Sequence, residues 1–226
     1  PEKRLTNIYM SSKTVIFIHA AKVFGNRYQE ILNMFEKYIL KSSLYKHVDK
    51  IFIEVQGTDE PVTFNVPNAI ITANGLPVGE MEFPTLDKII KYSAENAEDK
   101  VLYLQTQGAS YPASSLTEER REYLLHWNVT KFEDCLKELE NNDATGCMLL
   151  DAPVKHYHQN FWWANCRHIN TLTNPRYHEP VIDWRHNAEF WICSKQGGNY
   201  STLHNLYSDW IFAMNFNKSL WYDNDN

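Results

Sequence analysis

The segment His156-Tyr-His-Gln-Asn160-Phe-Trp162-Trp163-Ala164 gathers side chains that bind as readily as they fill space. His156 and Asn160 offer directed hydrogen bonds of the kind a set of sugar hydroxyls needs, and the indoles offer flat apolar faces that pack against C–H groups and bases. Neighbouring residues of a strand point to opposite faces. One of Trp162 and Trp163 is therefore expected to pack while the other lines a cavity. The alternative is the first turn of a buried helix, with Asn160 as its cap and both rings packed. Three groups are candidates for a general base, the role a carboxylate or imidazole takes on an attacking hydroxyl: Asp151, Glu189 and His156. A lone carboxylate is more often a surface charge or a cap, but the apolar Phe190-Trp191-Ile192 should hold Glu189 close to the core. Arg185 stands four residues before Glu189, so it either pairs with it on a helix or offers a bidentate contact to phosphate.

The elements that would position these groups read as a strand–helix alternation. Strands are expected at Thr14–His19, Lys50–Val55, Asn68–Ala73, Lys100–Gln105 and Gly146–Leu150, from short runs rich in β-branched residues. A helix follows Gly25-Asn26, with Tyr28, Ile31, Leu32, Phe35, Tyr38 and Ile39 on one face, and another spans Pro84–Ala97. A third opens with the capping box Ser115-Leu-Thr-Glu118 and runs through Leu125, Val129, Phe132 and Leu136 to Asn141. The order β-α-β-β-α-β-α-β predicts a single α/β domain with a mixed, mostly parallel sheet and helices on both faces. Ligands of such sheets bind beyond the carboxyl ends of the strands. His19 at the end of the first strand, and Gln105, Thr106, Gln107 and Gly108 after the fourth, are therefore expected to line a binding site. The N-terminus of the helix near Gly25 would add backbone donors for an anion.

Composition narrows the function classes. The chain has 226 residues, 43% hydrophobic and 22% charged, which suits one domain with a core that needs no staple. Its net charge of −6 argues against a nucleic-acid partner. The aromatic share of 14%, with seven Trp and thirteen Tyr, is high. Cys135, Cys147, Cys166 and Cys193 form no C-x-x-C pair, so neither a zinc ribbon nor a redox motif is indicated, and a cytoplasmic, reducing setting is expected. No apolar run approaches the roughly 18 residues of a membrane span. There is no G-x-G-x-x-G, Walker A, H-E-x-x-H or G-x-S-x-G. Residues 1–10 are expected to be an appended arm and 215–226 a mobile tail, and a place within a longer multi-domain chain is plausible.

His-aromatic-x-x-Asn-Phe-Trp-Trp-Ala is similar to the H-F-x-G-N-F-W-W-A signature of GT-A-like glycosyltransferases found in bacterial polysaccharide clusters and in large DNA viruses that glycosylate their own capsids. Tyr103-Leu-Gln105-Thr-Gln107-Gly-Ala-Ser110 resembles that family's Y-x-H-T-K-G-x-S, and Arg185-His-Asn-Ala-Glu189-Phe-Trp-Ile192 its R-x-x-x-E-x-W-I. Three departures stand out: Gln105 and Gln107 replace a His and a Lys, and Gln159 replaces a Gly. The resemblance implies a nucleotide-sugar donor, with a UDP-sugar expected, and a glycan or glycoprotein acceptor that would meet Trp162, Trp163 and His156. It also implies a divalent metal, Mn or Mg, held on an Asp-x-Asp pair. No such pair stands at a strand end here. Asp223-Asn-Asp225 lies in the tail and is rejected, which leaves Asp59, Glu60 and Asp151 as single candidate ligands. The missing pair and the two Gln also fit a second reading, a non-catalytic glycan-binding module on a degenerate GT-A scaffold.

Overall fold

The computed structural model describes residues 12–73, 75–110, 113–180 and 182–206; the expected arm at 1–10, the tail at 215–226 and Asp223-Asn-Asp225 lie outside the described residues. In chain order the elements are β1 (Thr14–Ala21), α1 (Arg27–Lys41), β2 (Lys50–Gln56), β3 (Ala69–Ala73), α2 (Phe83–Glu95), β4 (Lys100–Gln105), α3 (Ser115–Leu125) and α4 (Phe132–Glu138). There follow β5 (Ala144–Gly146), β6 (Leu149–Leu150), β7 (His156–Tyr157), β8 (Trp162–Asn165), α5 (Cys166–Ile169), α6 (Asn187–Phe190) and β9 (Tyr200–Thr202). Seven strands form one sheet in the order β3-β2-β1-β4-β8-β5-β9, and β6 and β7 form a separate ribbon. Strands β1 to β4 are parallel, β8 is antiparallel to both its neighbours, and β9 runs parallel to β5.

Both faces of the sheet are covered, which is why β1 reads as an unbroken apolar run. Ile16, Ile18 and Ala20 pack on one side with Tyr28, Leu32 and Phe35 of α1 and with Tyr123 to Leu125 of α3. Val15 and Phe17 pack on the other with Phe83, Leu86 and Ile89 of α2 and with Cys166, Ile169 and Ala188. The expected mixed, mostly parallel sheet with helices on both faces is thus the architecture observed. All four cysteines are free and buried, and no helix among the described residues is long and apolar enough to cross a membrane.

Three local expectations change. The long helix after residue 114 is interrupted by a π-helical turn at His126–Thr130. Widening the helix there frees the Asn128 carbonyl to accept the indole N–H of Trp163 at 2.9 Å. The cap of α3 is Ser114, not Ser115: Ser114 Oγ accepts from Thr117 N at 3.3 Å. Glu118 does not reach back to the cap but accepts from Arg27 Nη2 at 2.7 Å. The strand expected at 146–150 is split, because Met148 adopts φ 56° and turns the chain out of the main sheet into the β6–β7 ribbon.

Candidate functional site

From β1 the chain proceeds to β2 and β3 on one side, then crosses over to β4 on the other. The carboxyl ends of β1 and β4 therefore flank the topological switch point, where open α/β sheets leave a crevice. His19 and Gln105 are register partners at that place. Thr106 N donates to the His19 carbonyl at 2.9 Å, and Ala21 N donates to Thr106 Oγ1 at 3.2 Å. The five residues expected here, His19, Gln105, Thr106, Gln107 and Gly108, all line one cleft of about 120 Å³. A wider hollow of about 540 Å³ sits at the opposite, amino end of these strands, beside Thr14 and Lys100, away from the switch point. Burial pushes the His19 imidazole down to about 4, so it is neutral, with Nδ1 3.1 Å from Thr85 Oγ1.

Under the cleft loop lies Arg121, which is only 2% exposed. Its Nη2 donates to the Gln107 carbonyl at 2.7 Å, while Nε and Nη1 have no partner among the described residues. Burial, and to a lesser degree the charge of Arg27, bring its guanidinium down to about 10, with Glu118 acting the other way. Gly108 is required above it. Its φ is +85°, and a Cβ there would lie 2.8 Å from Thr117 Cγ2 and 3.1 Å from Arg121 Nη2. A buried cation thus backs the loop whose own Gln105 and Gln107 carry no charge.

The carboxylate nearest this chemistry is Glu82, absent from the sequence-based candidates. It lines the cleft and occupies the N-cap position of α2, yet its side chain makes no capping bond. It turns inward, where its Oε2 accepts from Tyr103 Oη at 2.6 Å and from Asn160 Nδ2 at 2.5 Å. Burial raises its carboxyl to about 7, and the charge of Glu189 adds to the rise; the Tyr103 and Asn160 hydrogen bonds oppose it. The signal in the sequence was faint: a Glu directly before Phe83-Pro84, at a position where Ser, Thr, Asp or Asn is the usual cap.

Beside Glu82, the structure brings His156 and Glu189 together, as two of the three expected bases, and adds His158. One ligand-type atom from each of His156, His158 and Glu189 lies within 4.8 Å of the others, so these residues form a group able to hold a divalent metal. His156 Nδ1 is 2.8 Å from the Val154 carbonyl. That carbonyl can only accept, so Nδ1 donates to it, and in the neutral tautomer the lone pair is then on Nε2. Burial, followed by the charge of Arg120 and the interaction with His156, lowers His158 to about 4, so its ring is neutral. Gln159 and Asn160 have φ of 63° and 56°. This left-handed pair turns the chain between the His158 ring and strand β8, and Gln105 Nε2 donates to the Gln159 carbonyl at 3.1 Å, tying the group to the cleft.

Other sequence candidates are corrected. Trp162 and Trp163 are both fully buried, on opposite faces of β8, because that strand lies inside a sheet covered on both sides. Their indole N–H groups donate to Asn160 Oδ1 (2.8 Å) and the Asn128 carbonyl (2.9 Å), so neither ring lines a cavity or meets an acceptor. Asn160 is also fully buried. It caps no helix and reaches no substrate; it holds Glu82 and Trp162. Arg185 does not pair with Glu189: Asp183 caps the turn before α6 and captures the guanidinium, with Arg185 Nη2 2.9 Å from Asp183 Oδ2. Asp151 follows the ribbon strand β6, its side chain is 80% exposed, and it pairs with Lys155 at 3.4 Å, outside the cluster of buried groups. Glu60 is likewise drawn to Lys22 on the surface, at 2.6 Å.

No curated protein matches this sequence. Several solved structures are similar in shape. The 4-diphosphocytidyl-2C-methyl-D-erythritol synthase of Anaerococcus prevotii is 12% identical, covers 87% of this chain with 90% of its own, and has a TM-score of 0.44. The 2-C-methyl-D-erythritol 4-phosphate cytidylyltransferase of Francisella tularensis is 12% identical, with 85% and 90% covered and a TM-score of 0.47. The Rv0371c protein of Mycobacterium tuberculosis, in complex with manganese, is 8% identical, with 86% and 89% covered and a TM-score of 0.41. Likeness at this level carries none of those proteins' activities over to this chain. Its family is settled by the match over residues 47–202, which include Glu82, the Gln105–Gly108 side of the cleft and the His156–His158–Glu189 group: the chain belongs to the family described as a domain of unknown function, DUF8361.

Proposed function

We propose that the protein is a GT-A-type glycosyltransferase that takes a nucleotide-diphosphate sugar, with UDP as the expected base, and transfers the sugar to a glycan or glycoprotein hydroxyl. The observation that carries this reading is the buried guanidinium of Arg121, whose Nε and Nη1 have no partner among the described residues, beneath a glycine-bearing loop at the switch point of the sheet. A cation removed from water without a carboxylate is costly to keep. An anion seated on the loop above it offsets that cost, and the diphosphate is the anion that a nucleotide sugar brings. Arg121 then fills the place left by the uncharged Gln105 and Gln107. The cleft of about 120 Å³ is smaller than the roughly 300 Å³ at which small-molecule sites begin, so it encloses the diphosphate region while the rest of the donor lies along the open rim.

Glu82, held near 7 by burial, is the group suited to take the proton of an acceptor hydroxyl at neutral pH. With both signature tryptophans sealed in the core, the exposed aromatic face beside it is Trp184. Trp184 stacks on Phe83 at 5.5 Å and is 51% exposed, and it is the surface on which an acceptor ring would pack.

The test is thermal unfolding against UDP, GDP, CMP, dTDP and their sugars, with and without manganese. A ligand at about 100 times its Kd stabilises by about 2.7 kcal/mol. A shift for one nucleotide, with consumption of the matching sugar donor when acceptor glycans are supplied, is the expected result. A shift without consumption under any acceptor would replace the transferase by a glycan- or nucleotide-binding module. No shift with any nucleotide would remove the donor site altogether.

A further inference from the structure

We propose that His156, His158 and Glu189 form a binding centre for a single first-row transition dication, of the zinc, cobalt or nickel class rather than magnesium or calcium. The geometry is that of two imidazoles and one carboxylate delivered by separate elements: His156 from strand β7, His158 from the turn after it, and Glu189 from α6. Their ligand-type atoms lie within 4.8 Å of one another. Ligands 2.0–2.2 Å from a tetrahedral ion stand roughly 3.4 Å apart, so a shift of about an ångström closes the set.

Three features point to a ligand site rather than to side chains that merely meet. First, the ring of His156 is already oriented. Nδ1 donates to the Val154 carbonyl, and Phe190 packs against the ring edge-on at 5.1 Å, which leaves Nε2 as the ring nitrogen open to a ligand bond. A protein carbonyl on the far nitrogen is the arrangement that fixes tautomer and direction in metal-bound histidines. Second, the backbone is bent to deliver His158. The two residues after it are non-glycine in the left-handed region, a conformation that costs on the order of 1 kcal/mol or more each and is kept where surrounding structure demands it. Third, among the described residues neither His158 nor Glu189 is committed elsewhere by a strong bond. The polar neighbour of the His158 ring is the Gln159 amide, at 3.3 Å, and Arg185, the cation nearest Glu189 in sequence, is held by Asp183.

Donor chemistry selects the metal class. Imidazole nitrogen suits zinc, copper, iron, nickel and their neighbours, whereas calcium and magnesium call for oxygen sets. Two histidines and one carboxylate leave a tetrahedral ion one open position, the pattern of a catalytic rather than a structural site. Buried Glu82 lies close enough for its carboxyl to feel the charge of Glu189. Under the proposed transferase reading, His156, His158 and Glu189 would hold a dication that could supply positive charge for the donor phosphates without any Asp-x-Asp pair. The site itself stands on its three ligands and does not require that reading.

The test uses the full chain, stripped with chelator and free of nucleotide. Cobalt(II) is titrated in while its visible d–d absorption is followed, then competed with zinc and with magnesium, and metal content is counted after gel filtration. One equivalent is expected, displaced by zinc at stoichiometric amounts and untouched by millimolar magnesium. Glu189→Gln keeps the shape of a half-buried side chain and should weaken binding at least 100-fold, as should His158→Ala. Circular dichroism checks that each is folded, and if His158→Ala is not, Glu189→Gln decides alone. Failure of the wild-type protein to bind either ion, or equal binding by the folded variants, overturns the proposal. Because no nucleotide is present, a negative result here leaves the donor site to be judged by its own melting experiment.

Discussion

Asn160 Nδ2 donates to Glu82 Oε2 at 2.5 Å, and the same amide accepts the indole N–H of Trp162 at 2.8 Å through its oxygen. One side chain thus fixes a cleft carboxylate to the core of the sheet. Replacing Asn160 by Ala leaves a buried indole N–H without a partner and weakens the hold on Glu82. With about 1–3 kcal/mol for each unsatisfied group, a loss of about 2–4 kcal/mol is expected in urea unfolding. Asn160→Asp tolerates the left-handed backbone but sets a second carboxylate against the first, so its deficit should widen as pH rises past 7. A pH-independent deficit would mean that Asn160 and Glu82 are not coupled.

Glu82 and His19 tilt the pH dependence of stability in opposite directions. Glu82 is raised from 4.5 to about 7, so its contribution is full below pH 4.5 and is lost as pH rises through 7. His19 is lowered from 6.5 to about 4, so its contribution is full above pH 6.5 and is lost as pH falls through 4. Each slope amounts to about 3 kcal/mol at most, from 1.36 kcal/mol per unit, and between pH 4.5 and 6.5 they oppose one another. Glu82→Gln should unmask a protein that gains stability with pH over that range. His19→Gln should unmask one that loses it. Guanidinium titrations at half-unit pH steps measure both, and identical profiles for the two variants would refute the assignment.

Arg121→Met should separate stability from binding. Removing a buried charge that has no carboxylate partner should leave the melting temperature unchanged or raise it. The stabilisation by nucleotide diphosphate, or by pyrophosphate alone, should disappear. A variant that melts early and still responds to pyrophosphate would show that Arg121 supports the Gln107 carbonyl and nothing more.

Trp162→Phe and Trp163→Phe should behave as core substitutions. Each loses packing and leaves its indole's acceptor without a partner, at about 1–3 kcal/mol. Nucleotide-induced melting shifts should persist in both. By contrast, Trp184→Ala should leave the fold and the donor shift intact and reduce transfer to acceptor alone.

The parallel half of the sheet was legible because its signal is local: runs such as Val15-Ile-Phe-Ile18 and Val101-Leu-Tyr-Leu104 are buried on both faces and bounded by turns. The cleft followed from strand ends alone, and His19 and Gln105 meet there as expected. What the sequence did not reveal depends on contacts between distant residues. Glu82 is 78 residues from Asn160 and 21 from Tyr103, and no periodicity links them. His158 stood in plain sight two positions after His156, yet the left-handed turn that gathers it with Glu189 has no sequence code when Gln occupies it. The tandem tryptophans misled for a specific reason. Alternation was read as one face buried and one open, whereas β8 lies between β4 and β5 with helices above and below.

That placement of β8 also dictates an order of assembly. β5 leaves the ribosome before β8, but its path back to β4 runs through β8, whose residues 162–165 pair with residues 100–103 on one side and 144–146 on the other. Until that wedge arrives, β4 is an open parallel edge and β5 belongs to no sheet. A chain truncated before Trp162 would therefore expose the β4 edge to pairing with other strands, and residues 162–165 are what joins the two parts of the sheet.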